Sequence, residues 1–430
     1  MRSRWSARRS SAASAVPRRP GWPRSPVSRT SRRASKSSRS GGAASSGSGR
    51  RSEPRVEPVG AVAPTQDALY RRIDLDLSWS ERELPERVRT KHVHRLHPYL
   101  GKFIPQLVEA LLARYVSRGR VLDPFAGSGT TLVQALESGL DATGADIASF
   151  NCLLMRVKTR EYNPFVLESE LRDALSRLDG FDGKRPETPS SRFVRDWYAP
   201  RAAAELLFFR GLVEDYEHAD VLRVVLARAA RSARRTTHFD LDFPRAPQRS
   251  PYWCHKHRRE CRPVEEARRF LRRYALDTLA RVREFSRVRA RGRFAVVVHG
   301  DARELDFDGR FDGVVTSPPY PGLIDYHEQH RYAYELLGLE EWRELELGKG
   351  TSRAALAAYV EGIAAVLANV GGSLRRGAPV VVVINDRRDL YPEILERAGL
   401  RLEERYRRHV NRRTGRRAGE FFEDVLVARA

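Results

Sequence analysis

At 430 residues the chain is long enough for one large or two ordinary domains with a substantial core, so length excludes no enzymatic class. Lys and Arg total 78 against 55 acidic residues, a net charge of +23 that favours a polyanionic partner such as nucleic acid and disfavours acidic or membrane-buried roles. Part of that excess is local, because residues 1–52 hold 14 basic residues and no acid, which leaves 64 against 55, or +9, for the rest.

Residues 1–65 are Arg, Ser, Pro and Gly with few apolar side chains, and they are expected to be a disordered tail. The same composition suits a DNA-binding arm or a transit peptide. Folding is expected from about Asp67. Residues 102–116 read as a helix, with Pro105 in its first turn and a stripe of Leu107, Val108, Leu111, Leu112 and Tyr115. Strands are expected at 120–123, 141–146, 294–299, 311–316 and 379–384, with 421–427 as a last, antiparallel edge strand. Their alternation with helical patterns predicts an α/β, Rossmann-like, doubly wound and mostly parallel sheet.

The gap of 147 residues between the second and third strands is far longer than a crossover of about 10–12 residues requires. It predicts a largely helical insertion, with helices at 202–213, 221–233 and 264–285. The expected division is therefore a tail at 1–65, a first half of the main domain at 66–160, the insertion at 161–290 and a second half at 291–430. In the last helix of the insertion Arg268, Arg272, Arg273 and Arg281 lie mostly off the apolar face, which suits either a solvated surface or a face laid along DNA.

Two segments carry chemistry. D-P-F-A-G-S-G-T at 123–130 is a strand end, a glycine turn and a helix start. A dinucleotide fingerprint needs a third glycine where Leu132 stands, so a pyrophosphate cofactor is disfavoured. S-adenosyl-L-methionine carries no pyrophosphate and fits the loop. Its expected contacts are Asp123, Pro124, Phe125, Gly127, Gly129 and Thr130, with Asp146 at the end of the next strand on the ribose and Asp301 in G-D-A-R-E-L on the adenine or ribose. An acid at such a position also serves as a helix cap.

T-S-P-P-Y at 316–320 follows a buried strand pattern, and its prolines leave backbone carbonyls without competing donors at the strand's end. A base amino group is a weak nucleophile because its lone pair is delocalised. The Ser317 hydroxyl and the Pro318 carbonyl are the acceptors that would draw it towards a tetrahedral form, with Pro319 stiffening the turn and Tyr320 stacking on a base flipped out of the helix.

Together these segments resemble the DNA amino-methyltransferases, and the serine form S-P-P-Y resembles their cytosine-N4 branch. The adenine-N6 enzymes more often carry D-P-P-Y or N-P-P-Y. The resemblance extends to H-R-L-H-P-Y-L-G-K-F at 94–103, where Tyr99 and Lys102 would help to close the cofactor site, and to P-Y-W-C-H-K-H-R-R-E-C-R-P-V at 251–264. It implies a site-specific enzyme acting on double-stranded DNA, with a separate restriction endonuclease as a companion and the insertion as target reader. Adenine-N6 methylation, an RNA or protein acceptor, and a vestigial DNA-binding protein are the alternatives.

Three cysteines give no disulfide framework and fit a reducing, cytoplasmic setting, close to the nucleoid through DNA. No contiguous apolar run, Val380 to Ile384 included, approaches the roughly 20 residues of a membrane helix, so no membrane partner is expected. Cys254, His255, His257 and Cys261 lack a C-x-x-C spacing and are read as packing residues, with phosphate contact falling to the neighbouring Arg258, Arg259 and Arg262 and no metal expected. Asp325, Tyr326 and His327 are expected in a loop lining the base or DNA cleft; His327 invites a general-base role that the chemistry does not need, since water can take the proton after methyl transfer.

Overall fold

The computed structural model describes residues 77–79, 84, 85, 88, 90–98, 103–184, 191–235, 246–254, 258–322, 325–410 and 421–429. The expectations placed on 1–65, Tyr99, Lys102, His255 and His257 lie outside these residues.

The chain enters through α1 (Pro105–Tyr115), whose first-turn proline costs no hydrogen bond and whose Leu107, Val108, Leu111 and Leu112 are buried. Then follow β1 (Arg120–Asp123), α2 (Thr130–Ser138), β2 (Asp141–Asp146) and α3 (Ser149–Thr159). Four further helices come next: α4 (Pro164–Gly180), α5 (Arg192–Trp197), α6 (Pro200–Leu212) and α7 (Ala219–Ala233). A hairpin of β3 (Tyr252–Cys254) and β4 (Arg259–Cys261) leads to α8 (Arg268–Ser286) and back to the sheet at β5 (Ala295–His299). The second half runs through β6 (Gly313–Thr316), α9 (Tyr326–Gln329), α10 (Arg331–Leu337), α11 (Arg353–Gly372), β7 (Pro379–Ile384), α12 (Tyr391–Arg397), β8 (Arg401–His409) and β9 (Phe422–Arg429).

The seven main strands lie in the order β5-β2-β1-β6-β7-β9-β8. All pairings from β5 to β7 are parallel, and β9 runs antiparallel between β7 and β8. The last strand is thus not the edge expected from sequence. That place belongs to β8, whose R-L-E-E-R-Y-R-R-H hides its alternation under charge, as edge strands that avoid pairing with other chains do. β7 is the opposite case: all six residues of P-V-V-V-V-I are buried because helices cover both faces.

From β1 the chain winds outwards to β2 and β5, then returns to β6 on the other side of β1. This reversal makes β1 and β6 the topological switch point, where open α/β sheets bind ligands at the strands' carboxyl ends.

The helices between β2 and β5 do not have a core of their own. Leu167, Leu206, Val224 and Leu271 share one continuous apolar cluster with Leu136 of α2, Phe150 of α3 and Leu336 of α10. Arginines of α8 pair with acids at the surface of this layer: Arg272 with Asp179, Arg283 with Glu168, and Arg281 with Glu284 at 2.8 Å. Helix α11 is long and apolar enough by length and composition to cross a membrane, a feature hidden from a search for contiguous apolar runs by its glycines and charged residues. Its Tyr359, Ile363, Val366, Leu367 and Val370 are buried in the apolar cluster that holds Val380 and Val382 of β7.

Candidate cofactor and acceptor site

The glycine turn after β1 begins a helix with little room to spare. Gly127 and Gly129 have φ of 50° and 79°, in the left-handed region that side chains avoid. A Cβ on Gly129 would lie 2.8 Å from Met155 Cγ, so this glycine answers to the packing of α2 on α3. The close approach of helix to strand that a third fingerprint glycine provides elsewhere is supplied here by the strand: a Cβ on Gly144 of β2 would sit 2.5 Å from Leu132 Cδ1. Leu132 therefore occupies the fingerprint position without displacing the helix.

Asp123 is fully buried beneath the turn. Its Oδ1 accepts from Thr316 Oγ1 at 2.6 Å and from Phe125 N at 3.1 Å, and its Oδ2 accepts from Thr131 Oγ1 at 2.6 Å. One carboxylate thus ties the end of β1 to the end of β6, across the switch point and one residue before Ser317. Burial raises its proton affinity more than these bonds lower it, and its pKa stands at about 6.

Above this tie is a cleft open to solvent, about 620 Å³ with the open solvent included. Phe125, Gly127, Thr130, Asp146, Ser317 and Pro319 line it, so residues expected from both motifs meet in one place. Asp146 is oriented by three donors: Gly127 N to Oδ2 at 2.9 Å, Ala148 N to Oδ1 at 2.8 Å and Asn151 Nδ2 to Oδ1 at 3.0 Å. Burial nevertheless raises its pKa above the ordinary carboxylate value. The S-P-P-Y turn is pinned from behind, because Tyr359 donates to the Pro319 carbonyl at 3.0 Å. Tyr320 packs against the α11 and β7 core, and its hydroxyl donates to Glu423 Oε1 at 3.2 Å.

Asp123, Pro124, Gly129, Asp301, Pro318 and Tyr320 do not line the cleft. Asp301 is the clearest departure. Its carboxylate caps its own turn by accepting from Arg303 N at 2.9 Å and is gripped by the Arg303 guanidinium. Burial opposes ionisation there, but Arg303 outweighs it and holds the pKa below the usual value. Cys254 and Cys261 are buried on the small hairpin.

Asn151 and Glu346 line the cleft with no motif to announce them, whereas Phe103 ends the 94–103 segment and His327 lies in the segment expected to line the base or DNA cleft. Asn151 stands five residues after Asp146 in the first turn of α3, and recognising that helix would have placed it facing the acid. Lys158, at the other end of α3, is buried and donates to the Ser128 carbonyl at 2.5 Å, which anchors the glycine turn.

The cleft suits a nucleoside with an amino-acid tail. Asp146 offers acceptance to hydroxyls, Ile147 and Pro319 offer apolar walls to a purine, and the turn over α2 presents Ser128 Oγ, buried and without a partner among the described residues. No family model matches the chain. It is 35% identical over 452 aligned positions to the type II methyltransferase M.MjaII of Methanocaldococcus jannaschii, covering 84% of each chain. It is 25% identical over 249 positions to the type II methyltransferase M.MvaI of Kocuria varians, covering 53% of each. Among solved structures, TrmN of Thermus thermophilus overlays 77% of this chain and 50% of its own at a TM-score of 0.31 and 14% identity, an overlay too loose to add to the strand order. On the first of these similarities, extending over most of both chains, the protein belongs to the type II methyltransferases, a family of S-adenosylmethionine-dependent DNA methyltransferases.

Proposed function

We propose that the chain transfers the methyl group of S-adenosylmethionine to the exocyclic N4 amino group of cytosine at a specific site in double-stranded DNA. The observation that supports this reading most is Ser317 on the wall of the cofactor cleft, with the acceptor turn fixed to the cofactor turn through Asp123.

The cofactor supplies an electrophilic methyl on a sulfonium. Asp146 is assigned to the ribose, Phe125, Gly127 and Thr130 to the remainder of the cofactor, and Asp123, Pro124 and Gly129 to holding the turn in shape. Lys102 keeps its expected role in closing the site, and Asp301 reaches the adenine only if Arg303 releases it. The Ser317 hydroxyl and the Pro318 carbonyl accept the two N–H bonds of the amine, which localises its lone pair towards the methyl. A C–N bond forms as the S–C bond breaks, and the amine proton passes to water. Tyr320, tethered by Glu423, serves as one wall for the flipped base, and Pro319 holds the turn rigid.

The helical layer at 161–290 is assigned to target reading, in a modification role beside a separate endonuclease. The protein acts in the cytoplasm where the DNA lies. The test is to incubate the protein with unmethylated duplex DNA and labelled cofactor, digest the DNA and identify the labelled nucleoside. N4-methylcytosine is expected. N6-methyladenine would move the reading to adenine, and label on RNA or protein alone would remove DNA from it.

A further inference from the structure

His327 and Glu346 line the cleft but belong to neither motif. The His327 ring is 1% exposed, with Nδ1 at 3.2 Å from Glu346 Oε2 and a tilted contact to the Tyr334 ring, 5.3 Å between centroids. An ionised carboxylate only accepts, so this contact places a proton on Nδ1 and leaves Nε2 of the neutral ring as an acceptor. Nε2 is buried and has no hydrogen-bond partner among the described residues. A buried polar atom left unmatched is unfavourable, and on the wall of a ligand cleft it calls for a donor brought by the ligand.

Asp146 has the complementary shortage. Its carboxylate already receives three N–H bonds, and a carboxylate offers about four lone-pair positions. A ribose brings two hydroxyl donors. His327 and Asp146 line the same cleft. Asp325, the other acid beside the ring, is exposed and pairs with Arg343 at 3.4 Å, which leaves Glu346 as the buried partner.

We propose that His327 Nε2 accepts one of the two ribose hydroxyls of S-adenosylmethionine, and that Glu346 is the positioning residue that fixes the ring and its tautomer. The proposal rests on the reading of Asp146 as the ribose acid and is independent of which base is methylated.

The test is calorimetric titration of the wild-type protein and of H327A, H327Q, E346A and D146A with S-adenosylhomocysteine and its 2′-deoxy and 3′-deoxy analogues. The wild type should prefer the intact ribose over at least one analogue by about tenfold, the scale of one buried hydrogen bond. H327A should lose that preference while binding the discriminated analogue as tightly as the wild type does. H327Q, which retains a side-chain acceptor, should keep part of the preference, and E346A should lose part of it. A merely structural role would weaken all three ligands equally and leave the preference untouched, which overturns the proposal. Absence of any preference in the wild type overturns it as well. D146A should keep the preference that H327A loses and lose discrimination at the other hydroxyl; if D146A discriminates against both analogues as the wild type does, the Asp146 reading fails and the His327 assignment stands.

Discussion

At the scale of single residues, the candidate site depends on carboxylates whose surroundings differ more than their sequence positions do. Asp123, Asp146 and Asp301 all follow apolar strands, and in sequence they look equivalent. In three dimensions Asp123 is a buried tie, Asp146 faces the cleft and Asp301 is occupied by Arg303. The arginine two residues after Asp301 was the available signal. The tie makes a pH prediction. With a folded pKa of about 6 against an ordinary 3.8, the folded state holds the Asp123 proton more tightly than the unfolded chain does. The associated stability is complete below pH 4 and is lost as the pH rises through 6. Asp123→Asn lacks this term, so wild-type stability minus variant stability should fall by about 2 kcal/mol between pH 4 and pH 7 in denaturant melts. A difference that stays flat would mean that Asp123 titrates normally. At the acceptor, Ser317→Ala should lower single-turnover methyl transfer by about 100-fold while cofactor affinity stays within about threefold. Loss of both together would make Ser317 a structural residue.

At the scale of elements, β5, β6 and β7 were legible because valine-rich runs between helical patterns have few other uses, whereas β8 was not because its alternation is carried by Arg and Glu. The packing of α2 on β2 depends on Gly144, a glycine within a strand whose reason is visible only in three dimensions. Gly144→Ala should destabilise the protein by about 1–3 kcal/mol through overpacking, and the further change Leu132→Ala should recover part of that loss. Additive losses in the double variant would place the strain elsewhere. On the other side of the sheet, Glu423 and Arg408 form a pair at 2.9 Å, 7% and 5% exposed, and Glu423 also receives the Tyr320 hydroxyl. Glu423→Ala leaves a buried guanidinium unpaired and should cost about 3–5 kcal/mol in a denaturation experiment. Glu423→Gln, which still accepts from Tyr320, should retain more methyl-transfer activity than the alanine variant.

At the scale of the whole molecule, the long gap between the second and third strands correctly signalled extra helices, but sequence alone did not reveal that they share a core with α2, α3 and α10. A contact between elements far apart in the chain leaves no local pattern. The consequence is mechanical, since a region assigned to reading DNA is continuous with the helices behind the cofactor cleft. Arginines counted as a possible DNA face, Arg272 and Arg281 among them, are already paired with acids of the protein. Deleting residues 1–60 should leave the methylated sequence unchanged when DNA from the two forms is compared, and an altered sequence would make the tail a reader. The central claim concerns the acceptor. Expressing the protein in a host without DNA methylation and sequencing the DNA by a method that separates N4-methylcytosine from N6-methyladenine should yield N4-methylcytosine at one recurring site. N6-methyladenine, or unmodified DNA from cells containing folded, cofactor-binding protein, would contradict it.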